Sequence, residues 1–263
     1  MSSAPSHDGD PAFAHAMKAL GASPGLIGPD HRSALEEHGF TIFREVIDPN
    51  WLTSLRDAFE RIHREEGERA GIEVMQLPGV RRLADLVNKT PAVDGMWQHP
   101  MVLAAAHFLI GRPLKLHSVN AHDPRPGHGA QRLHRDTKVP REDMRTCNVV
   151  NTMWMLDDVT RDNGATRVVP ATHVLPEDPK AALDDPEAAH PDEVYLTGPA
   201  GTVAMFHGDL WHSCTTNRSA RSRRICHCAF IGRELPQQTD QRAHLRPETA
   251  RRLSPAARFI LDA

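Results

Sequence analysis

The sequence predicts a mainly β protein with flanking helices, and specifically a double-sheet jelly roll. From residue 114 onward, apolar residues recur at every second position, which is the period of a half-buried strand. These short alternating stretches are separated by turn-forming residues at fairly regular spacing, as in jelly rolls. Before residue 114, helical spacing of the apolar residues dominates instead.

We expect one domain, because a mainly β chain of 263 residues commonly builds a single core. Residues 1–11 are rich in Ser, Pro, Gly and Asp and are predicted to be disordered. A helix-rich flank that includes the first strand is expected over 12–113. The jelly-roll core is expected over 114–235 and a C-terminal tail over 236–263.

The flank opens with helices predicted over 12–20 and 29–37 and a strand over 40–46. Asp48 followed by Pro49 predicts the start of a third helix, because an aspartate caps the first turn and proline fits the first helical position. Five apolar residues then follow at helical spacing, a pattern that core packing explains fully: Trp51, Leu52, Leu55, Phe59 and Ile62.

Two further stretches complete the flank. Residues 73–87 show no clear period, and we interpret them as a covering loop. Residues 91–111 have helical apolar spacing and end at Gly111, which predicts a helix packed against the sheet.

The core begins with a strict alternation, in which Leu116, Ser118, Asn120 and His122 share one face of a predicted strand. The other core strands are predicted at 148–156, 167–170, 202–206 and 224–231.

A candidate metal site follows the first core strand. His134 and Asp136 are two residues apart, so on an extended chain their side chains leave the same face and can bind one ion. His212, from a distant predicted strand, would supply a third ligand. Two histidines and one carboxylate, with the other metal positions open, are typical of non-heme Fe(II) oxygenases. Histidine is abundant, with 17 residues, so the first pair alone is weak evidence.

A guanidinium eleven residues after His212 adds a second signal. Arg223 offers a planar set of donors that suits a carboxylate. With it, the chain resembles the phytanoyl-CoA dioxygenase (PhyH) family of Fe(II)/2-oxoglutarate-dependent oxygenases. The resemblance covers roughly residues 39–232 and rests on four segments in the family's order: Gly39–Ile47, Leu133–Asp136, Trp154–His173 and Phe206–Arg223.

The resemblance implies a double-stranded β-helix, the cupin-like jelly roll, with helices packed on its outer sheet. It implies that His134, Asp136 and His212 bind Fe(II) and form the catalytic centre. It also implies that 2-oxoglutarate and O₂ are converted to succinate and CO₂ while a substrate is oxidised, with ascorbate as a candidate stimulant. Relatives that halogenate lack the carboxylate of Asp136, so hydroxylation, desaturation or rearrangement is expected here.

For the far carboxylate of 2-oxoglutarate we predict Arg223. Arg221 and Arg224 stay open as competitors, because a slip of one residue in a strand reverses the face. On strict alternation only Arg224 is excluded. Gln131 and Thr166 match family positions that contact the cosubstrate. Their purely structural interpretations are a loop hydrogen bond and a strand residue that fills space.

Ser118 and His122 are predicted to line the substrate pocket, since they alternate toward the same side just before the metal site. The family acts on acyl thioesters, compatible solutes and diverse natural products. We expect the substrate to be a small organic metabolite, and specifically a secondary-metabolite intermediate.

The composition limits which kinds of binding partner are expected. A net charge of −3 gives no basis for a nucleic-acid or anionic-membrane partner, and the sequence leaves the oligomeric state open. It shows no signal segment and no apolar run that would span a bilayer. Four cysteines form no C-x-x-C pair, so we predict reduced thiols and a cytoplasmic location, with Cys226 and Cys228 as core residues.

Two other function classes remain open. One is a jelly-roll metalloenzyme that hydrolyses or isomerises its substrate with Zn²⁺ or Mn²⁺ at the same three ligands. The other is a non-catalytic metal-binding sensor. Neither needs a dedicated carboxylate-binding arginine, so the three ligands together with Arg223 favour the oxygenase.

Overall fold

The computed structural model describes residues 10–137 and 143–263. The predicted disorder over 1–11 therefore falls mostly outside the described residues. Of its last two residues, Pro11 occupies the first position of a helix, and Asp10 caps that helix by accepting hydrogen bonds from the N–H groups of Ala12 and Phe13.

Two antiparallel sheets form the centre of the described structure. Its strands are β1 (Phe40–Phe43), β2 (Val80–Leu83), β3 (Leu114–Pro124), β4 (Val149–Met155), β5 (Thr166–Val168), β6 (Val194–Leu196), β7 (Val203–His207), β8 (His212–Cys214) and β9 (Ile225–Gly232). The larger sheet has the order β1-β7-β4-β9-β3-β2, and the smaller sheet has the order β6-β5-β8.

Helices precede and follow the strands. Within the described residues they are α1 (Pro11–Ala19), α2 (Pro29–Glu37), α3 (Pro49–Glu66), α4 (Leu86–Lys89), α5 (Asp94–Trp97), α6 (Pro100–Ile110), α7 (Pro179–Ala182), α8 (Gln241–His244), α9 (Pro247–Arg252) and α10 (Pro255–Leu261). None of these helices is both long and apolar enough to cross a lipid bilayer.

The alternation of side chains divides the larger sheet into an outer and an inner face. On β9, Cys226, Cys228 and Phe230 pack with the helices in the main hydrophobic core. Ile225 packs instead with residues of the smaller sheet in a second core. The predicted jelly roll, with helices on its outer sheet, is confirmed.

The cysteines behave as predicted for core thiols. Cys226 and Cys228 are buried and free of disulfides, as is Cys147. Burial raises the pKa of the Cys226 thiol to about 12, because the charged thiolate would lose its water. All three side chains therefore act as small apolar residues.

The start of α3 follows the prediction. The Asp48 carboxylate accepts from the N–H groups of Asn50 and Trp51 at 2.9 and 3.0 Å, and Gly67 follows the last turn with φ +55°. The predicted helix over 91–111 is broken, because Pro100 cannot donate to the preceding turn and starts a new helix.

Three strand predictions need correction. Residues 80–83 form the edge strand β2 rather than part of a covering loop. The first strand ends at Phe43 instead of 46, and Glu45 then turns the chain with φ +56°. Leu116 does not share a face with Ser118, because a bulge between them shifts the register and turns Leu116 into the helix-side core.

Candidate active site

Backbone pairing brings the two predicted histidine ligands together. His134 and His212 form an antiparallel bridge in which each N–H donates to the other residue's carbonyl, at 3.0 and 3.1 Å. The N–H of Asp136 donates to the carbonyl of Gly208 at 2.9 Å. The structure therefore brings the three predicted side chains to one place, where a ligand atom of each lies within 4.8 Å of the others.

Hydrogen bonds orient both imidazoles. Nδ1 of His134 lies 2.9 Å from the carbonyl oxygen of Arg132, and Nδ1 of His212 lies 2.8 Å from that of Leu210. A carbonyl can only accept, so Nδ1 carries the proton in each ring and Nε2 presents a lone pair in the neutral form. Both Nε2 atoms face Asp136, at 3.6 Å from His134 and 3.3 Å from His212.

The electrostatics keep the carboxylate ionised. Burial acts to raise the pKa of the Asp136 carboxyl, but His212 and His134 outweigh it and hold this pKa well below its usual range. Burial lowers the pKa of His134, while for His212 the charge of Asp136 overcomes burial and raises the pKa. The site thus offers an anionic oxygen and an imidazole nitrogen that is free of a proton.

This donor set fits a divalent transition metal. Two imidazole nitrogens and one carboxylate oxygen, all from one side, match the ligands of non-heme Fe(II) and leave the opposite positions open. The Asp136 side chain keeps 40% of its surface accessible, so a metal ion can reach the carboxylate.

A residue that is not itself a candidate ligand, and that the sequence did not predict for the site, donates a hydrogen bond to the carboxylate of Asp136. The Asn151 side chain on β4 donates to Oδ2 of Asp136 at 2.7 Å. Asn151 pairs with Ala229 and Phe206, which places its side chain on the inner face of the larger sheet. Such partners fix the orientation of metal ligands. In the sequence, Asn151 is simply a polar residue within the strand predicted over 148–156.

Arg223 lies in the interior, as a cosubstrate ligand must. It is 1% exposed, and its Nη2 donates to the carbonyl of Gly164 at 2.7 Å. Its Nη1 finds no hydrogen-bond partner among the described residues. A buried cationic donor without an acceptor is costly, so this nitrogen is suited to an incoming anion.

The two competing arginines are placed differently. Arg224 is already paired, since its Nε and Nη2 donate to the carboxylate of Asp157 at 2.8 and 2.9 Å and its Nη1 donates to Glu60 at 3.0 Å. Arg221 is exposed at the surface. Of the three, only Arg223 combines burial with a free donor.

Gln131 and Thr166 both lie beside Cys214, the residue two after His212. The Gln131 side chain accepts from the N–H of Cys214 at 3.4 Å, and Thr166 pairs with Cys214 across the smaller sheet. The Thr166 hydroxyl lies 3.3 Å from the sulfur of Met153 on the facing sheet, so it points into the space between the sheets. These positions agree with either interpretation made from the sequence.

Ser118 and His122 do share the inner face of β3, where they pair with Ala229 and Ile225. Their environments differ. Nε2 of His122 accepts from Arg82 at 2.9 Å, and burial holds the pKa of His122 well below its usual value. His122 is therefore neutral and engaged in positioning an arginine.

Arg82 and His227 are interior residues that the sequence analysis did not single out. Arg82 is 9% exposed, and its Nε finds no partner among the residues the structure describes. His227 pairs with Asn120 and Met153 in the larger sheet, and its ring lies 5.0 Å from that of His122. Burial lowers the pKa of His227 to about 4. Arg82 was missed because its strand, β2, was not predicted.

A family model described as phytanoyl-CoA dioxygenase (PhyH) matches residues 35–225, almost three quarters of the chain. The chain belongs to this family. The family predicted from the four sequence segments is confirmed, and with it the enzyme class of Fe(II)/2-oxoglutarate-dependent dioxygenases and their cofactors.

Individual relatives agree with PhyH membership. The chain is 27% identical to dioxygenase af480 of Aspergillus fumigatus over 239 residues, which are 88% of this chain and 65% of that protein. The chain thus spans about two thirds of the length of this relative. The structure is also similar to that of SnoK, a non-heme α-ketoglutarate-dependent carbocyclase from nogalamycin biosynthesis, with a TM-score of 0.66, 20% identity and coverage of 89% and 94% of the two chains.

A second solved structure shares the fold. HygX from Streptomyces hygroscopicus, with nickel and 2-oxoglutarate bound, gives a TM-score of 0.64 at 14% identity and covers 80% of this chain and 89% of its own. At such low identity these structural likenesses establish the double-stranded β-helix and no more.

Proposed function

We propose that this PhyH-family chain binds Fe(II) through His134, Asp136 and His212 and uses 2-oxoglutarate and O₂ to oxidise a small organic metabolite. The observation that carries the proposal is the convergence of the three ligand atoms within 4.8 Å, with both imidazoles held by backbone carbonyls so that Nε2 faces the shared centre. When bound, the ferrous ion and 2-oxoglutarate supply the oxidising chemistry.

The protein's own contribution begins with the cosubstrate. Arg223 would bind the far carboxylate of 2-oxoglutarate through its unpartnered Nη1, since a guanidinium and a carboxylate form strong charge-assisted hydrogen bonds. Thr166 and Gln131 both contact Cys214, which follows the candidate ligand His212 by two residues, and they would contact the same molecule. Asn151 would keep the carboxylate of Asp136 oriented toward the metal.

Apolar side chains cover one side of the site. Phe206 packs against the His212 ring, with centroids 4.8 Å apart, and Val168 and Leu196 of the smaller sheet pack in the same buried cluster as Phe206. An enclosed site strengthens the electrostatic interactions within it and protects reactive species from side reactions. Ligands would therefore bind on the side of the site that carries Arg223 and the three candidate metal ligands.

The proposed substrate class is a secondary-metabolite intermediate. HygX was solved with hygromycin B bound, and SnoK belongs to nogalamycin biosynthesis. By analogy with these fold relatives we propose a natural-product intermediate for this chain. Ser118, on the inner face of β3, is the candidate substrate contact, since the ring of the other candidate, His122, already accepts from Arg82.

Succinate formation tests the proposal. The purified chain is incubated with Fe(II), 2-oxoglutarate, ascorbate and air, with and without candidate metabolites such as hygromycin B, and succinate is quantified. We expect succinate that requires both Fe(II) and O₂ and that disappears when a chelator removes the metal. Turnover of a substrate with Zn²⁺ or Mn²⁺ in the absence of O₂ would instead support the hydrolase or isomerase alternative.

A further inference from the structure

The C-terminal segment reaches the inner side of β3, beyond the residues that match the PhyH family. The backbone N–H of Gln238 donates to Nδ1 of His117 at 3.1 Å. The side chain of Asn120 donates to Oε1 of Gln238 at 3.3 Å. The family match ends at residue 225, so Gln238 lies outside the matched residues.

These three residues lie beside the metal ligands. Asn151, which donates to Asp136, and Ser118 both pair with Ala229, so only that residue lies between them across the inner face. His117 directly precedes Ser118, and Asn120 follows Ser118 by two positions on the same face. The group formed by His117, Asn120 and Gln238 therefore faces the same interior space as the metal site.

The hydrogen bond from Gln238 fixes the tautomer of His117. Nδ1 accepts a backbone proton, so the neutral ring must carry its own proton on Nε2. No acceptor for this Nε2–H occurs among the described residues. The side chain of His117 is partly accessible and that of Gln238 is exposed, so both can reach a ligand.

The chemistry of the group is uncharged. It offers an imidazole N–H and two carboxamides, and Ser118 beside it adds a hydroxyl. Such donors and acceptors pair well with a hydroxyl or carbonyl, and none of these side chains supplies a charge that would pair with a carboxylate or an ammonium.

The segment that carries Gln238 is held firmly. The Gln237 side chain donates to the carbonyls of Leu116 and Leu261 at 2.6 and 2.8 Å. Near the end of the chain, Asp262 accepts from buried Lys115 at 2.9 Å and from Arg242 at 2.7 Å. A preorganised wall loses little entropy when it binds a ligand.

We propose that His117, Asn120 and Gln238 form a substrate-anchoring site that binds an uncharged hydroxyl or carbonyl group of the substrate and thereby sets which carbon faces the metal. This inference rests on the proposed function, because it assigns the substrate side of the same metal site.

The test uses the full chain loaded with Mn(II) and 2-oxoglutarate, and small probes in place of the unknown substrate. Cyclohexanol and cyclohexanone are the neutral probes, with cyclohexanecarboxylate and cyclohexylammonium as their charged counterparts. Paramagnetic relaxation of the probe protons by Mn(II) reports both the affinity and the proximity to the metal. We expect relaxation by the neutral probes and weaker relaxation by both charged ones.

Variants then assign the effect to residues. His117→Phe and Gln238→Leu should each weaken cyclohexanol binding about three- to tenfold, which is the net value of one hydrogen bond. His117→Gln keeps an N–H donor and should recover most of the affinity, which a merely structural role would not predict. Thr239→Ala, on the same segment, is the matched control and should bind like the unaltered chain.

The outcomes separate the two proposals. Electron spin resonance shows whether the unaltered chain binds Mn(II) and 2-oxoglutarate. If it binds only one or neither, the proposed function is wrong, and this inference is wrong with it. If both bind but no probe is relaxed, if the carboxylate is preferred, or if His117→Phe binds cyclohexanol as well as the unaltered chain, the anchoring site alone is wrong.

Discussion

The inner face of the larger sheet has two halves that differ in chemistry. The half formed by β1 and β7 is apolar, with these side chains packed in the second core: Phe40, Ile42, Ala204 and Phe206. The half formed by β9, β3 and β2 carries polar side chains in equivalent positions: His227, Ser118, Asn120, His122 and Arg82. Both halves belong to one continuous sheet with one alternation.

The difference follows from what faces each half. The smaller sheet covers the apolar half with buried Val168 and Leu196, so that half is closed by packing. The polar half instead keeps donors without partners among the described residues, Nε of Arg82 and Nη1 of Arg223. Since buried polar groups are normally hydrogen-bonded, these donors indicate where ligands belong. One half stabilises the barrel by packing, and the other presents polar side chains to the interior near the candidate metal site.

The strongest test of this division removes a metal ligand. His212→Ala should reduce metal affinity by more than the roughly 100-fold that loss of an outer hydrogen-bond partner causes, and should abolish succinate formation. Titration of Fe(II) under anaerobic conditions measures the affinity. Exposed His244→Ala is the control, and unchanged iron binding by His212→Ala would contradict the assignment.

The apolar half should respond in stability rather than in ligand binding. Leu196→Ala removes a fully buried side chain from the second core and should lower the free energy of unfolding by about 2–5 kcal/mol. Urea unfolding measures this change. The same substitution at Leu26, which is 43% exposed, should cost far less. If Leu196→Ala also lost metal affinity in proportion to its loss of stability, the two halves of the inner face would not have separate roles.

The cosubstrate end of the polar half is tested by Arg223→Leu. Loss of charge-assisted hydrogen bonds worth about 1.5–3 kcal/mol should raise the KM for 2-oxoglutarate by roughly 10- to 150-fold. Exposed Arg221→Leu should leave this KM unchanged. The reverse result would move the carboxylate site to Arg221.

Asn151 lies on β4, between the two halves, and donates a hydrogen bond to the candidate metal ligand Asp136. Asn151→Leu keeps the approximate size but removes the donor to Asp136, so metal affinity should fall about 10- to 100-fold. Isothermal titration with Co(II) measures this. An affinity within twofold of the unaltered chain would show that the hydrogen bond does not orient the carboxylate.

The smallest expected effect is a pH dependence carried by His227. Burial lowers the pKa of folded His227 from 6.5 to about 4. As the pH falls below 6.5, the unfolded chain therefore takes up a proton on this residue before the folded chain does. The folded state has its full stability above pH 6.5 and loses stability as the pH falls. Between pH 6.5 and 5.5 the metal-free chain should lose about 1 kcal/mol more stability than His227→Gln. Urea unfolding at the two pH values measures the loss of stability. If the unaltered chain and His227→Gln lose the same amount, His227 does not carry this pH dependence.

Local patterns predicted much of the fold. The cap at Asp48 and the apolar spacing after it are contained in neighbouring residues, and so is the alternation that separates Cys226 from His227. Edge strand β2 escaped prediction because four residues with two arginines carry no clear period. Its identity as a strand comes from pairing with β3, some forty residues away.

The candidate site shows the same limit. His134, Asp136 and His212 were found because metal ligands require specific residue types at a spacing that the chain itself displays. Asn151 and Arg82 are common residue types whose roles arise only from what they face.

The sequence by itself predicted the candidate ligand residues, the family and the faces of most strands, because each depends on residue type and short spacing. Only the tertiary structure decided which polar side chains surround the metal site. A bulge at Leu116, the pairing of β2 and the return of the tail to His117 set those neighbours. These are contacts between residues distant in the chain, and their energies depend on packing and register that no local pattern records.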